Sequence, residues 1–141
     1  MLFSIGKRLA EMAMIALMAT GAMAQDMLVE KKTFEMASLT TVSGATVRNV
    51  KVGWEAYGTL NADKSNVILV PHFFSGTSHA AGKYKPDDKL PGYWDYLIGP
   101  GKAVDTNRFY VISVDSLVNL NAKDPNVVTT GPASINPDTG K

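Results

Sequence analysis

The stretch of sequence with the clearest chemical potential follows a short run of β-branched residues. Residues 67–70 (VILV) are continuously apolar, and Pro71 and His72 end the run before a turn of small residues at 75–78. Loops at the carboxyl ends of sheet strands are where α/β proteins bind ligands. Backbone N–H groups in such a loop can stabilise a developing negative charge, as in an oxyanion hole. The stretch therefore predicts either an oxyanion-type loop or an ordinary connection to the next element.

Residues 76–80 (GTSHA) nearly match the G-x-S-x-G pattern that presents a nucleophilic serine between a strand and a helix. That pattern requires a helix directly after the serine, but residues 81–88 (AGKYKPDD) are a poor helix start. His79 is adjacent to Ser78, whereas the base of a catalytic triad normally comes from another part of the fold. We therefore do not expect Ser78 to be a nucleophile. We expect His72, which has no carboxylate nearby in sequence, to be a hydrogen-bonded structural residue.

Composition excludes several other kinds of site. The chain of 141 residues has no cysteine and two histidines, so neither thiolate chemistry nor a histidine-rich metal centre is expected. The formal net charge of +1 is unlike that of a strongly basic nucleic-acid binder. The sequence contains no phosphate-binding or dinucleotide-binding fingerprint. We therefore expect no cofactor, no metal and no nucleic-acid partner. With 45% hydrophobic and 19% charged residues, the composition is that of one globular domain at most.

Hydrophobic periodicity predicts the elements that would position this loop. Residues 33–39 and 46–57 predict two strands, which the turn signal at Ser43 and Gly44 joins into an antiparallel hairpin. One face of the second strand is apolar and carries Val50, Val52, Trp54 and Ala56. The opposite face is polar and carries Asn49, Lys51 and Glu55. This alternation predicts that the apolar face is buried and that the polar face is not.

Two further runs show no alternation. Residues 67–70 and 109–114 are continuously apolar, as in strands that are buried on both faces of a parallel or mixed sheet. The connection between them contains one plausible short helix around residues 92–98, whose apolar residues recur at helical spacing. These features predict an α/β fold with a right-handed crossover. Residues 115–141 show little periodicity and predict a connection without an element of its own.

The first 24 residues have the three-part pattern of a secretory signal peptide. Lys7 and Arg8 supply a positive start, residues 12–23 form an apolar run, and small residues at positions 22 and 24 form a cleavage site. The apolar run is shorter than the roughly 20 residues that a membrane-spanning helix needs. We therefore expect cleavage after Ala24, a periplasmic or secreted mature chain of residues 25–141, and no stable membrane insertion after cleavage. The alternative is an N-terminal amphipathic helix or anchor.

A series of short motifs occurs in one order along the chain. The motifs are residues 57–62, 66–70, His72, Gly76, Ser78-His79, Ala81-Gly82, Trp94-Asp95, 98–103, Asp105-Thr106, 108–112, 131–137 and 139–141. Together they resemble the start of the homoserine O-acetyltransferase-like group of α/β-hydrolases, from about Ser38 to Lys141. The resemblance implies the N-terminal part of an α/β-hydrolase fold, incomplete in this chain, in which an antiparallel hairpin leads into a mostly parallel sheet.

The resemblance also implies a mechanism. In this family an acetyl group passes from acetyl-CoA to the homoserine hydroxyl through an acyl-enzyme on a Ser-His-Asp triad, and all three triad residues would lie beyond this chain. Only the oxyanion strand maps onto it, and by position the backbone N–H of Phe74 would be a donor of the oxyanion hole. Two features depart from the family pattern. Phe73 and Phe74 are bulkier than the usual residues after the histidine, and residues 119–127 replace a Gly/Cys-rich stretch.

The sequence leaves three functions open. The first is an acyltransferase of the homoserine O-acetyltransferase type, with a small-molecule acyl ester or acyl-CoA as substrate. The second is an exported esterase-type hydrolase with water as the acceptor, which the export signal favours because acetyl-CoA is cytosolic. The third is a truncated, non-catalytic chain. An incomplete sheet would also leave one side of the strand at residues 67–70 unpaired, so we expect self-association of the chain through this strand.

Overall fold

The computed structural model describes residues 26–132, 134–135 and 139–140. Its strands are β1 (Lys32–Thr40), β2 (Thr46–Tyr57), β3 (Val67–Pro71), β4 (Ile98–Gly99), β5 (Val104–Asp105) and β6 (Tyr110–Val114). Four of them form one sheet in the order β1-β2-β6-β3, and β4 pairs with β5 in a separate parallel ladder. The predicted signal peptide lies outside the described residues.

The hairpin of β1 and β2 forms as predicted. The two strands are antiparallel, and Thr40 pairs with Thr46 next to the turn. Gly44 adopts a φ of 86° in this turn, a left-handed conformation that glycine enters without a steric penalty. Its N–H donates a hydrogen bond of 2.9 Å to the Thr41 carbonyl oxygen. The Ser43-Gly44 signal in the sequence therefore marks the true reversal of the chain.

The hairpin leads into a parallel pair of strands. β6 is antiparallel to β2 on one side and parallel to β3 on the other. Leu69 lies opposite Ile112 in the parallel register, and Pro71 lies opposite Val114. Both strands therefore end at the same edge of the sheet, where the loop after β3 and the segment after β6 meet.

The burial of β3 differs from the prediction. Val70 is buried, but Val67 is 44% exposed and Leu69 is 61% exposed, so the strand is not buried on both faces. Within the described part of the chain β3 pairs with β6 alone, which makes it the edge strand of the sheet. The continuous apolar pattern is typical of a strand that is covered on both faces. Because β3 is the edge strand of the described sheet, Val67 and Leu69 stay exposed.

The predicted helix around residues 92–98 is wrong. Residues 93–97 form consecutive turns, and Ile98 begins β4. Pro91 precedes this segment and Gly99 follows it, which leaves far fewer than the roughly 12 residues that make a helix stable in water. Ile98 is instead fully buried in the core. The described ranges contain no candidate for a membrane-spanning helix.

The hydrophobic core joins the sheet to the long connection between β3 and β6. Its buried members are Val29, Tyr57, Val70, Ala80, Ala81, Ile98 and Val111. The connection approaches so closely that a Cβ atom on Gly92 would lie 2.2 Å from the Ala81 nitrogen. Burial of a side chain as large as Ile98 contributes roughly 1.5–3 kcal/mol to the free energy of unfolding. The core therefore holds the connection, and with it the loop after β3, against the sheet.

The burial of β2 also differs from the prediction in its second half. Gly53, Glu55 and Tyr57 are buried, whereas Trp54 and Ala56 on the predicted apolar face are only partly buried. A Cβ atom on Gly53 would lie 2.1 Å from a carboxylate oxygen of Asp115, so only glycine fits at this point of close approach. The buried face of this half of β2 is thus the one that was predicted to be polar. The reason is that the connection after β3 covers the face that carries Glu55.

The segment after β6 contains no strand or helix among its described residues, in line with the prediction, but it is held against β2. The Gly53 N–H donates to the Val128 carbonyl oxygen at 2.7 Å, and the Lys51 N–H donates to the Thr130 Oγ1 atom at 2.8 Å. The segment therefore returns along the hairpin instead of leaving the domain.

Candidate functional site

The loop after β3, residues 72–78, begins with a tight turn, which we call the Phe74 turn (residues 73–76). The Gly76 N–H donates to the Phe73 carbonyl oxygen at 2.7 Å, which closes a β-turn with Phe74 and Ser75 at its two central positions. The N–H of the second residue takes no part in the bond that closes such a turn. Within the described part of the chain, the Phe74 N–H donates no hydrogen bond.

The two phenylalanine side chains of the Phe74 turn are largely exposed. The Phe74 side chain is 89% exposed and the Phe73 side chain 57% exposed, and the ring of Phe73 contacts Tyr93 edge-on with centroids 5.3 Å apart. His72 donates from its Nδ1 atom to the Phe73 carbonyl oxygen at 2.6 Å. His72 is thus a hydrogen-bonded residue of the turn, as expected from the sequence. The role of the Phe74 N–H as an oxyanion donor stays a prediction.

Two asparagine side chains bind the other side of the Phe74 turn. The Asn121 Nδ2 atom donates to the Ser75 carbonyl oxygen at 2.9 Å, and the Asn119 Nδ2 atom donates to the Gly76 carbonyl oxygen at 3.0 Å. Both asparagines belong to the segment after β6. The juxtaposition follows from the parallel pairing of β3 and β6, whose carboxyl ends share one edge of the sheet.

A group of buried polar side chains lies where the loop after β3 rejoins the sheet. Its members, which we call the Glu55 cluster, are Lys31, Glu55, Tyr57, Ser78, His79, Tyr84 and Asp115. The Glu55 side chain is fully buried. Its carboxylate accepts hydrogen bonds from Tyr57 at 2.9 Å and Tyr84 at 2.6 Å, and it forms a 2.9 Å ion pair with Lys31.

The electrostatics of the cluster keep Glu55 ionised. Burial by itself would raise the pKa of the Glu55 carboxyl, but the hydrogen bonds from His79 and Tyr84 and the ammonium of Lys31 outweigh burial and lower that pKa. Burial raises the pKa of the Tyr57 and Tyr84 hydroxyls, and the nearby Glu55 carboxylate raises it further. Both tyrosines therefore stay neutral and act as hydrogen-bond donors to the carboxylate.

Ser78 is a buried structural residue of the cluster, in agreement with the sequence interpretation. Its Oγ atom accepts a hydrogen bond from Lys31 and lies 3.4 Å from a Glu55 oxygen. Its N–H donates to Asp115 at 2.7 Å. The Nδ1 atom of His79 is directed at Glu55, 3.2 Å away, and not at the serine. A side chain with no exposed surface and an ammonium as its partner is not poised to attack a substrate.

Tyr57 and Asp115 attach the end of the loop to the sheet. The Tyr57 hydroxyl oxygen accepts hydrogen bonds from the N–H groups of Ala80 and Ala81 at 3.0 and 3.1 Å. Asp115 accepts from the Ser78 N–H and from the Val128 N–H, the latter at 3.0 Å. The cluster therefore satisfies backbone donors that would otherwise be buried without partners.

Sequence reasoning missed most of these residues. It located the loop and the Phe74 position, but it placed Glu55 on the polar face of a strand and assigned no role to Lys31, Tyr84 or the two asparagines. One available signal was Gly53, because a glycine inside a strand marks close approach of another part of the chain. In the described ranges, no group of three or more histidine, aspartate or glutamate side chains could hold a metal ion. In the same ranges, neither histidine is hydrogen-bonded to a serine hydroxyl.

The antiparallel hairpin is followed by the parallel β6-β3 pair, as at the start of an α/β-hydrolase fold. The crystal structure of esterase E22 superposes with a TM-score of 0.78 at 71% identity, over 81% of this chain and 31% of that one. The structure of a homoserine O-acetyltransferase from Bacillus anthracis superposes with a TM-score of 0.79 at 54% identity, over 82% of this chain and 31% of the other. The predicted α/β fold is therefore confirmed.

Curated sequences point to the same group. The homoserine O-acetyltransferase of Methanococcus vannielii is 50% identical over 114 residues, which are 80% of this chain and 22% of the relative. No family model matches the chain. The chain is thus similar to the homoserine O-acetyltransferase-like α/β-hydrolases, as its motifs predicted. It spans less than a third of the length of each of these relatives.

Proposed function

We propose that the whole protein is an ester hydrolase that uses an acyl-enzyme mechanism on the α/β-hydrolase scaffold, with water as the acyl acceptor. The observation that carries this proposal is the 71% identity to esterase E22 over 81% of the chain, against 54% to the Bacillus anthracis homoserine O-acetyltransferase. The substrate class is a small-molecule acyl ester. The described residues contribute the oxyanion side of the reaction.

In the proposed reaction a serine hydroxyl outside the described residues attacks the ester carbonyl carbon. The carbonyl oxygen then gains negative charge, and the Phe74 N–H donates to it. The alcohol leaves, and water hydrolyses the acyl-enzyme that remains. A donor that is fixed before the reaction needs no reorganisation when the charge develops, and loss of one such donor lowers kcat by about 100- to 1000-fold. The unpaired Phe74 N–H in a hydrogen-bonded turn supports this assignment.

A second candidate is transfer of the acyl group from an acyl-CoA to homoserine. It is supported by the 50% identity to the Methanococcus vannielii enzyme and by the solved structure from Bacillus anthracis. Both candidates use the same acyl-enzyme and oxyanion hole, and they differ only in the acyl donor and acceptor. A substrate comparison therefore distinguishes them.

The experiment uses the full-length product of the gene. We expect hydrolysis of p-nitrophenyl acetate at a rate that homoserine does not change, and little release of CoA from acetyl-CoA in the presence of homoserine. Release of CoA that requires homoserine, with slow ester hydrolysis, would support the acyltransferase instead. Absence of both activities would contradict both candidates.

Two further proposals concern the location and assembly of the chain. Residues 1–24 are proposed to direct export, which agrees with a hydrolase because water is available outside the cytosol and acetyl-CoA is not. The mature chain of residues 25–141, expressed by itself, is proposed to self-associate through β3, since Val67 and Leu69 are exposed on this edge strand.

A further inference from the structure

We propose that Asn119 and Asn121 are positioning residues that fix the direction of the Phe74 N–H. This inference rests on the proposed function, in which that N–H stabilises the negative charge on the substrate carbonyl oxygen. Each asparagine side chain binds a backbone carbonyl oxygen of the Phe74 turn and would act through that backbone.

The coupling runs through two rigid peptide groups. The Ser75–Gly76 peptide is held at both ends, because its carbonyl oxygen accepts from Asn121 at 2.9 Å and its N–H donates to the Phe73 carbonyl oxygen at 2.7 Å. That Phe73 carbonyl belongs to the same peptide group as the Phe74 N–H. A peptide group is planar and trans, so its N–H points opposite to its C=O. Fixing the Phe73 carbonyl therefore fixes the Phe74 N–H.

Asn119 holds the next peptide group in the same way. Its Nδ2 atom donates to the Gly76 carbonyl oxygen at 3.0 Å, and its side chain is buried, with 6% of the residue exposed. With Asn121 on the preceding carbonyl, two consecutive peptide groups of the turn are bound from the segment after β6. The Phe74 turn is short and its side chains are exposed, so these amides supply much of the restraint that packing does not.

The two asparagines are themselves held in place. The Asn119 N–H donates to Thr129 Oγ1 at 3.1 Å, and the Asn119 Oδ1 atom accepts from the Asn121 N–H at 2.8 Å. Because the Asn119 oxygen is occupied in this way, its Nδ2 group is the end that faces the turn. The donors are therefore preorganised before any substrate binds.

The test replaces each donor by an acceptor of the same shape in the full-length protein. In Asn121→Asp and Asn119→Asp a carboxylate oxygen faces a carbonyl oxygen, so the turn loses its restraint. Asn126→Asp is the matched control, because it introduces the same charge into the same segment and the Asn126 side chain makes no hydrogen bond among the described residues. We expect kcat for p-nitrophenyl acetate to fall about 10- to 100-fold in the first two variants, with KM within about twofold of the parent.

The outcomes separate this inference from the proposed function. A lower kcat with unchanged KM and Tm in Asn121→Asp, and no change in the control, supports the positioning role. Asn119→Asp buries a carboxylate, so its Tm is expected to fall as well, and Asn121→Asp decides the outcome. A kcat in Asn121→Asp equal to that of the parent, or a kcat that falls there only together with Tm, overturns the inference while the proposed function stands. A parent protein without hydrolase or acyltransferase activity overturns the proposed function, and the inference falls with it.

Discussion

The carboxylate of Glu55 receives hydrogen bonds from Tyr57 and Tyr84 and the ammonium of Lys31, and its side chain has no exposed surface. Removing such a charge from water costs several kcal/mol, and that cost is offset only when the oxygens are well satisfied. The same donors would be left without an acceptor if the carboxylate were absent. Glu55 therefore stabilises the fold by serving as the acceptor for Tyr57, Tyr84 and Lys31.

Replacement of Glu55 by glutamine tests this role. Glu55→Gln removes one of the two carboxylates that face Lys31, the other being Asp115, so we expect the free energy of unfolding to fall by roughly 1–3 kcal/mol. Urea denaturation of the full-length protein measures the change. Glu35→Gln is the control, since Glu35 forms an exposed 2.8 Å pair with Lys51 on the same hairpin. Exposed pairs contribute about 0–1 kcal/mol, and an equal loss in both variants would contradict a special role for Glu55.

The lowered pKa of Glu55 also predicts a dependence on pH. The ordinary pKa is 4.5, and the folded-state pKa lies below it, so the unfolded chain binds a proton more readily than the folded chain. The stabilisation is complete above about pH 4.5 and is lost as the pH falls through the folded-state pKa. We expect the free energy of unfolding to decrease in this acidic range, and to decrease less steeply in Glu55→Gln. Denaturation curves at several pH values provide the measurement, and parallel slopes would contradict the assignment.

At the scale of elements, β3 is an edge strand with a row of exposed apolar side chains. Leu69 is 61% exposed and Val67 is 44% exposed, and within the described residues the outer edge of the strand has no partner. Unpaired N–H and C=O groups beside apolar side chains favour pairing with another strand. Ile68, in contrast, packs against the hydrophobic core, so a charge there would damage the fold itself.

Leu69→Lys therefore tests the self-association of the chain of residues 25–141. We expect the unsubstituted chain to form oligomers and the variant to shift towards monomer, because a charge on an edge strand opposes pairing. Light scattering measures the mass of each. Val42→Lys serves as the control, since Val42 is fully exposed at the hairpin turn, away from β3. A monodisperse monomer without any substitution would contradict the proposal.

Local patterns predicted the strands well because their causes are local. The Ser43-Gly44 turn and the alternation of residues 46–57 belong to one hairpin, and both are read from neighbouring residues. The turn segment at residues 93–97 has a helical spacing of apolar residues, but the proline and glycines on either side leave it too short for a helix. The burial of Glu55 and the contacts of Asn119 and Asn121 depend on segments that are distant in sequence. No window of neighbouring residues contains that information.

At the scale of the whole molecule, the comparisons extend the sequence resemblance to a solved fold, while substrate and location stay proposals. The loop after β3 could be placed from sequence because an apolar strand followed by small residues is a local signal, while its role as an oxyanion loop stays a prediction. The proposed esterase and the proposed acyltransferase could not be told apart in this way, because both proposals assign the same role to this loop. They differ in the proposed acyl donor and acceptor.

Export provides a prediction for the whole chain. If residues 1–24 are a signal peptide, the protein recovered from the periplasm or medium begins at Gln25, because cleavage follows the small residue at position 24. Mass spectrometry of the intact protein and its N-terminal peptide makes the measurement. An Ala24→Lys variant, which disrupts the cleavage site, is expected to accumulate uncleaved. Recovery of a protein that retains Met1 in the cytosol would contradict export and weaken the case for a hydrolase.

The contact between Lys31 and Asp115 has a consequence for folding during synthesis on the ribosome. The two residues are 84 positions apart, and the Lys51 to Thr130 hydrogen bond spans 79 positions. A ribosome adds about 5–20 residues per second, so several seconds pass between the synthesis of Lys31 and that of its partner. During this interval the residues of β1 and β2 have been made, but the segment after β6 that packs against them has not, so Glu55 and Lys31 are still hydrated. The Glu55 cluster is therefore completed late, only after β6 and Asp115 have been made.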